Sequence, residues 1–395
     1  MEVINFILSL GQILIGYNLV LSGLIYFLWL LLKKSKHEQN RKVIGLDYAF
    51  IVTAYEHTDS LPAVVNSILK SEYQNYLIYV VADNCDITDL NFNNDERVIT
   101  LRPPVVLSSN TKSHAYAVEH FVRPHDVLTI IDSDNLVEED YLAQLNTTFN
   151  QGYDVVQGLR AAKNLTGTIA CLDAARDIYY HFYDGKLLFE IGSSATLSGS
   201  GMAFKVPLYK AFLTAFDVKG AGFDKVLQSW LVGQDIRIAF NEDAVVLDEK
   251  TSRPDQLVKQ RSRWINTWFK YFKYGFGLFF KGIATLNRNQ AFFGLVLLRP
   301  PLFLFLFGAV FCLLMNLIFF DLWAVVAWLT AMALFVVFFF VALLNSHTDR
   351  KIYRSLKSIP SFMMYQILSL FKSRNANKIS VATKHYYTDE QETRQ

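Results

Sequence analysis

The chain has 395 residues, 52% of them hydrophobic and 15% aromatic, with 32 Phe. That length accommodates two ordinary domains, or one domain with membrane spans. A formal net charge of only +2 excludes a nucleic-acid binder that works through bulk charge, and the three cysteines, Cys85, Cys171 and Cys312, show no metal spacing or pairing pattern, which fits a reducing compartment.

Residues 3–32 are almost uninterrupted apolar sequence. A bilayer core needs about 20 such residues in a helix. A cleaved signal peptide would begin with basic residues and end at a small-residue cleavage site. Here Glu2 comes first, and Lys33, Lys34 and Lys36 come after the apolar run. Residues 1–34 are therefore expected to be an uncleaved anchor in the inner or plasma membrane. The positive-inside rule puts the lysines and the central region beyond them in the cytoplasm.

From 45 to 265 the pattern is soluble α/β. Residues 47–54 read as a buried strand. Residues 60–71 carry Leu61, Val64, Val65, Ile68 and Leu69 at helical spacing. Strands are expected at 77–82, 98–101 and 127–131, and a helix at 110–121. The alternation predicts a mostly parallel sheet covered on both faces. Ligands in such sheets sit at the carboxyl ends of strands. Tyr55, Glu56, Asp83, Asp132 and Asp134 all fall there.

After Trp264 the composition changes. Residues 266–290 mix aromatics with Lys270, Lys273 and Lys281, as a helix in the membrane interface does. Within 291–345, two spans are expected at 302–320 and 322–344, entered through the helix-breaking Arg299-Pro300-Pro301. Arg350, Lys351, Arg354 and Lys357 then mark the cytoplasmic side again. A second interfacial helix is expected at 360–372, within a cytoplasmic segment 346–395 whose polar end, 383–395, is expected to fray. Three spans, with an irregular entrance facing lipid, predict contact between protomers or with a partner subunit.

Several motifs carry chemistry. Asp132-Ser133-Asp134 closes the apolar run 127–131, and two carboxylates spaced i, i+2 can hold a hard divalent cation. Isolated aspartates also favour turns, but here other strand-end acids precede them. Asp83 can cap a turn or hydrogen-bond a nucleotide; Tyr55 can pack on a base, and Glu56 shares the ambiguity. Lys112 opens a helix, where it is either solvated or a phosphate contact. Asp224 begins an amphipathic stretch, where an acid stabilises the helix start and can also serve as general base. In Gln260-Arg261-Ser262-Arg263-Trp264, Gln260 and Arg263 share a helical face. Such a cluster can anchor a membrane interface, or bind phosphate through the guanidinium and stack on a sugar through the indole.

In their order these motifs resemble the processive branch of the family-two glycosyltransferases, which includes cellulose, hyaluronan and poly-N-acetylglucosamine synthases. The resemblance runs from about residue 48 to the C-terminus. It rests on Ile51-Val52-Thr53-Ala54-Tyr55-Glu56, Val81-Ala82-Asp83-Asn84-Cys85, Lys112-Ser113-His114-Ala115, Asp132-Ser133-Asp134, Gly199-Ser200-Gly201-Met202-Ala203-Phe204, the stretch 244–249 and Gln260-Arg261-Ser262-Arg263-Trp264. It implies a GT-A fold, a UDP-sugar donor, Mg or Mn, and inversion at the anomeric carbon. It implies nucleotide contacts for Tyr55, Glu56, Asp83, Lys112 and Asp132, metal ligation by Asp132 and Asp134, Asp224 as base, and Gln260, Arg263 and Trp264 at the donor diphosphate and acceptor. The implied acceptor is a growing polysaccharide; a lipid carrier taking a single sugar is the alternative, and a non-catalytic nucleotide-sensing subunit a third reading. The family's Thr-Glu-Asp at the base is Gly222-Phe223-Asp224 here, so the acid before Asp224 is lost. Three spans also make a thin wall for a polymer channel.

Overall fold

The computed structural model describes residues 2–32, 43–88, 90–92, 94–218 and 220–376. Lys33, Lys34, Lys36 and the tail 383–395 lie outside the described residues.

Eight strands form one sheet: β1 (Tyr48–Tyr55), β2 (Tyr76–Asp83), β3 (Val98–Leu101), β4 (Val127–Asp132), β5 (Leu136–Val137), β6 (Val155–Ala162), β7 (Met202–Lys205) and β8 (Ile238–Asp248), in the order β3-β2-β1-β4-β7-β6-β8-β5. β1, β2 and β4 are near-continuous apolar runs because helices cover both faces. On one face Phe50, Val52, Ile78 and Val80 pack with α2 (Leu61–Leu69) and α4 (Tyr141–Asn150). On the other, Ile51, Tyr79 and Ile130 join α3 (Asn110–Glu119), the end of α5 (Gly167–Tyr180) with the buried residues after it, and α7 (Val206–Ala215). That second core continues into Leu19, Ile25 and Phe338 of the apolar helices, so the sheet domain and the apolar helices share one hydrophobic interior.

The pairings β1–β2, β1–β4, β2–β3 and β6–β8 are parallel; β4–β7, β6–β7 and β5–β8 are antiparallel. The reversed β7, inside the sheet, and the two-residue β5, at its edge, are the departures from the parallel strand–helix alternation. Only four residues long, β7 enters between β4 and β6 from the turn Gly199-Ser200-Gly201, where both glycines have positive φ. After α5 the chain passes through a π-helical turn, His181–Leu187, and a short α6 (Leu188–Glu190).

Helices dominate the rest: α8 (Phe223–Gly233), α9 (Pro254–Tyr271), α10 (Tyr274–Ala284), α11 (Arg288–Leu298), α12 (Leu302–Ile318), α13 (Leu322–Asn345), α14 (Arg350–Ser355) and α15 (Ile359–Lys372). The boundary drawn at 265/266 from composition falls inside α9. Composition shifts after Trp264, whereas the helical backbone continues to Tyr271. The segment 266–290, expected to be one interfacial helix, is instead the end of α9, α10 and the start of α11. α10 and α11 approach closely through glycines: a Cβ on Gly282 would lie 2.3 Å from the Ala291 amide nitrogen, and one on Gly294 2.5 Å from that of Phe279.

Among the described residues, two helices are individually long and apolar enough to cross a membrane, Leu8–Leu32 within α1 (Glu2–Leu32) and Leu322–Asn345. α11 and α12 together make a third span only if the pair, bent by 73°, counts as one. Polar side chains tie the apolar helices together: Gln12 Oε1 accepts from Asn316 Nδ2 and Trp328 Nε1, both at 2.8 Å. At the 73° bend Arg299 is buried and ion-pairs with Asp184 of the π-helical turn. The chain's own sheet domain therefore contacts, through Asp184, the break at which the sequence predicts a partner.

Candidate active site

Strand register gathers the first group of side chains. Tyr55 pairs with Asp83 across β1–β2, and Thr53 with Asp132 across β1–β4. Tyr55, Asp83 and Asp132 thus occupy the carboxyl ends of three adjacent parallel strands, as the sequence predicts. The buried Asp83 carboxylate accepts from the Leu107 amide at 2.9 Å and the Ser108 amide at 2.7 Å, so it holds the loop before α3. The Ser108 hydroxyl donates to Tyr55 Oη at 3.0 Å. Glu56 is exposed, and Glu56, Asn84 and Ser108 all adopt positive φ around this mouth. Such strain in three non-glycine residues is typical of ligand clamps. Lys112 is exposed in the first turn of α3.

The Asp132-Ser133-Asp134 turn is held from two sides. Ser60 Oγ donates to the Ser133 carbonyl at 2.7 Å. The Asp132 amide donates to Ser200 Oγ at 3.1 Å. With its amide oriented to satisfy both of its ends, Asn135 accepts from Ser200 Oγ at 2.8 Å and donates to Asp134 at 3.0 Å and to Asp248 at 3.3 Å. Among the described residues no group of three or more His, Cys, Asp or Glu could hold a metal. Two carboxylates at a strand end nevertheless suit a hard cation whose other ligands are substrate phosphates and water, the usual arrangement for Mg.

Asp224 lies in the first turn of α8, 17% exposed, with Lys225 Nζ at 3.3 Å. Lys225 also donates to the Leu197 carbonyl at 3.3 Å, which ties the helix start to the loop that carries Ser200. Gly222 caps α8 at φ +96°, and a Cβ there would lie 2.5 Å from Thr267 Cγ2 and 2.7 Å from Tyr271 Cε2. The start of α8 is therefore pressed directly on α9. Phe223, in place of the lost acid, is buried edge-on to His114 at 5.3 Å between ring centroids. His114 hydrogen-bonds Tyr209 Oη at 2.7 Å, and burial pushes its pKa down to about 3.

On α9, Gln260 accepts from Thr251 Oγ1 at 3.0 Å. Burial lowers the pKa of Arg263. Trp264 is 39% exposed, with the Arg261 guanidinium 4.0 Å and that of Arg176 4.5 Å from its ring centroid. The most buried members of the motif are Arg261 and Ser262, to neither of which the sequence assigns a role. Arg261 ion-pairs with the buried Asp173 of α5. Asp173 pairs in turn with Arg176 at 3.2 Å, and Arg176 with Asp177. Asp177 reaches Lys250 Nζ at 2.6 Å, and Lys250 reaches Asp248 at the same distance. Asp248 ends on Arg160 at 2.8 Å and, through Asn135, on Asp134.

A line of alternating charge thus connects the Asp132/Asp134 turn to the Arg261/Trp264 face of α9. Burial pushes the Asp248 carboxyl up, but Arg160 and Lys250 outweigh it and bring it down to about 2. Burial likewise opposes Asp177, and Arg176 and Lys250 hold it well below the carboxylate range. Burial, followed by Arg176, lowers Arg261 to about 10. One local signal is readable in the sequence: Asp173, Arg176 and Asp177 at i, i+3, i+4 on a helix. Nothing local announces their partners.

The glycosyltransferase like family 2 profile matches residues 46–267. No curated protein matches the chain. Among solved structures, the chain is similar to the mannosyltransferase PcManGT from Pyrobaculum calidifontis in complex with GDP-Man and Mn2+, at 13% identity and a TM-score of 0.55, over 93% of this chain and 98% of that one. It also matches S. aureus TarS 1-349 in complex with UDP-GlcNAc, at 13% identity and a TM-score of 0.41, over 87% and 92% respectively.

Proposed function

From a chain that belongs to the glycosyltransferase like family 2 and carries its GT-A-like fold, we propose an inverting transferase that moves one sugar from a nucleoside-diphosphate donor, a UDP-sugar in the first instance, to a lipid-linked acceptor at the membrane surface. The observation that carries the reading is the convergence of Tyr55, Asp83 and Asp132 at neighbouring strand ends, with Asp224 on a helix pressed against α9. The relative in complex with GDP-Man and Mn2+ is compatible with a nucleotide-sugar donor and a divalent cation.

In this reading Tyr55, Glu56, Asp83 and Lys112 hold the nucleotide. Asp224 takes the proton of the acceptor hydroxyl as its oxygen attacks the anomeric carbon. The bond from that carbon to the diphosphate oxygen breaks, and the departing charge faces Arg263 and Gln260. A Mg or Mn ion held by Asp132 and Asp134 would supply charge neutralisation at the diphosphate. Trp264 offers an exposed indole for the acceptor.

The lipid acceptor is favoured over the polysaccharide by the membrane helices themselves. A Cβ on Gly16 would sit 3.6 Å from Trp328, one on Gly23 2.5 Å from Phe338, and one on Gly308 3.1 Å from Ile15. Helices this close, and at most three spans among the described residues, support anchoring more than conduction. The retained Gln260-to-Trp264 motif keeps a growing polysaccharide as the second reading.

The test is a screen of nucleotide sugars with the full chain in nanodiscs, with and without added lipid extract, followed by product mass analysis. A single sugar on an organic-extractable lipid supports the proposal. A ladder of long polymer favours the second reading, and inactivity with every donor, whether or not Mn2+ is present, sinks both.

A further inference from the structure

Lys250 is only 2% exposed at its side chain and sits 2.6 Å from both Asp177 and Asp248. Both carboxylates carry a second cation, Arg176 and Arg160 respectively. Buried ion pairs seldom stabilise a fold more than apolar side chains of the same size would, because desolvation cancels most of the attraction. They do impose distance and direction, since each member is satisfied in one geometry only. The two ends of this array are the Asp134 carboxylate, reached through Asn135, and Arg261, whose guanidinium lies over Trp264. Arg261 keeps Nε and Nη1 buried without hydrogen-bond partners, a cost that apolar packing would avoid.

Building on the transferase reading above, we propose that Lys250 is a positioning residue that fixes the Trp264 face of α9 relative to the Asp132/Asp134 turn, and so aligns acceptor with donor. Lys250 touches neither substrate. It is the shared cation that keeps two like-charged carboxylates, on α5 and at the end of β8, in one arrangement. Without it, Asp177 and Asp248 repel, and α5, which carries Asp173 and thus Arg261, shifts from the strand end. A displacement of about 1 Å far from the reacting atoms costs on the order of 100-fold in rate.

The test uses the full chain in nanodiscs as wild type, Lys250→Met, Lys250→Arg and the double variant Lys250→Met/Asp177→Asn. Affinity is measured by calorimetry for UDP and for GDP with Mn2+. The proposal expects Lys250→Met to keep nucleotide affinity within about threefold and its melting temperature near wild type, while kcat for transfer falls about 100-fold. Lys250→Arg, which retains the charge, should recover to within about tenfold of wild type. Equal kcat in folded Lys250→Met overturns the proposal. So does failure of both Lys250→Met and the double variant to fold, because the array is then a stability element. If the wild type transfers no sugar, the transferase reading falls separately. Amide hydrogen exchange then decides on Lys250: joint loss of protection at 132–135 and 257–264 in Lys250→Met supports the coupling, and unchanged protection in either segment overturns it.

Discussion

Asp224, Asp134 and His114 each have an environment that fixes what their replacement should do. Asp224→Asn keeps a polar side chain of the same size at the helix start but removes the proposed proton acceptor. Transfer should fall by about 10²–10⁴-fold, while calorimetric affinity for nucleotide with Mn2+ changes little. Turnover within a few-fold of wild type would remove Asp224 from the base role. Asp134→Ala leaves a single carboxylate at the turn, a poor ligand set for Mg or Mn. It should abolish the metal-dependent part of nucleotide binding, and an unchanged Mn2+ dependence would count against the assignment. His114 is neutral in the fold with a pKa of about 3, against about 6.5 when unfolded. The unfolded chain therefore binds the extra proton, and stability falls as pH drops from about 6.5 towards about 3. The melting temperature should decline across that window, with a shallower slope in His114→Asn. Parallel slopes in the two proteins would show that His114 does not carry the effect.

At the scale of elements, the parts readable in the sequence are those whose signal is local. β1, β2 and β4 are apolar runs ending in acids or beside them, and their observed limits differ from the expected ones by about a residue. The apolar helices are equally plain. The four-residue β7 carries too few side chains to declare its direction, and its reversal is set by the glycine turn before it. The charged array is hidden for another reason: Lys250 and Asp177 are 73 residues apart, and Arg261 and Asp173 are 88. No periodicity links such positions; only the tertiary fold brings α5 within ion-pair reach of Lys250 and Arg261. The α8–α9 contact gives a direct test of how α9 is seated. Gly222→Ala forces a side chain into a left-handed backbone and against Thr267 and Tyr271. Destabilisation of roughly 1–3 kcal/mol is expected from the strain and overpacking, with a loss of transfer larger than any loss of nucleotide affinity. Denaturant unfolding and steady-state kinetics on one preparation would read both, and wild-type behaviour in both would deny the contact its importance.

For the whole molecule, orientation is the open quantity that labelling can reach. α1 and α13 both contact the sheet domain, through Trp29 with Glu190 and through Tyr183 Oη donating to the Phe338 carbonyl at 2.7 Å. α14 then packs Ile352 on Cys171 and Ala175 of α5. The short link between α12 and α13, followed by Trp323, 87% exposed in the first turn of α13, lies at the other end of these helices. If the basic flank after α13 is cytoplasmic, an impermeant maleimide on intact cells should label Trp323→Cys and spare Lys351→Cys. The opposite pattern would invert the topology.

The buried Arg299–Asp184 pair has a practical consequence for anyone who would cut or graft this chain. A fragment ending at residue 267, where the family match stops, would lose both the ion-pair partner of Asp184 and the part of the shared hydrophobic interior that Phe293, Phe335 and Phe338 supply. Removing one partner of a buried pair typically costs about 3–5 kcal/mol, comparable with the whole stability of many domains. The sheet domain is thus not a cassette. A truncation without the apolar helices should aggregate even with Asp184 neutralised, because apolar core surface is uncovered as well, and a chimera that borrows another protein's apolar hairpin must bring both matching apolar side chains and an arginine to the same bend.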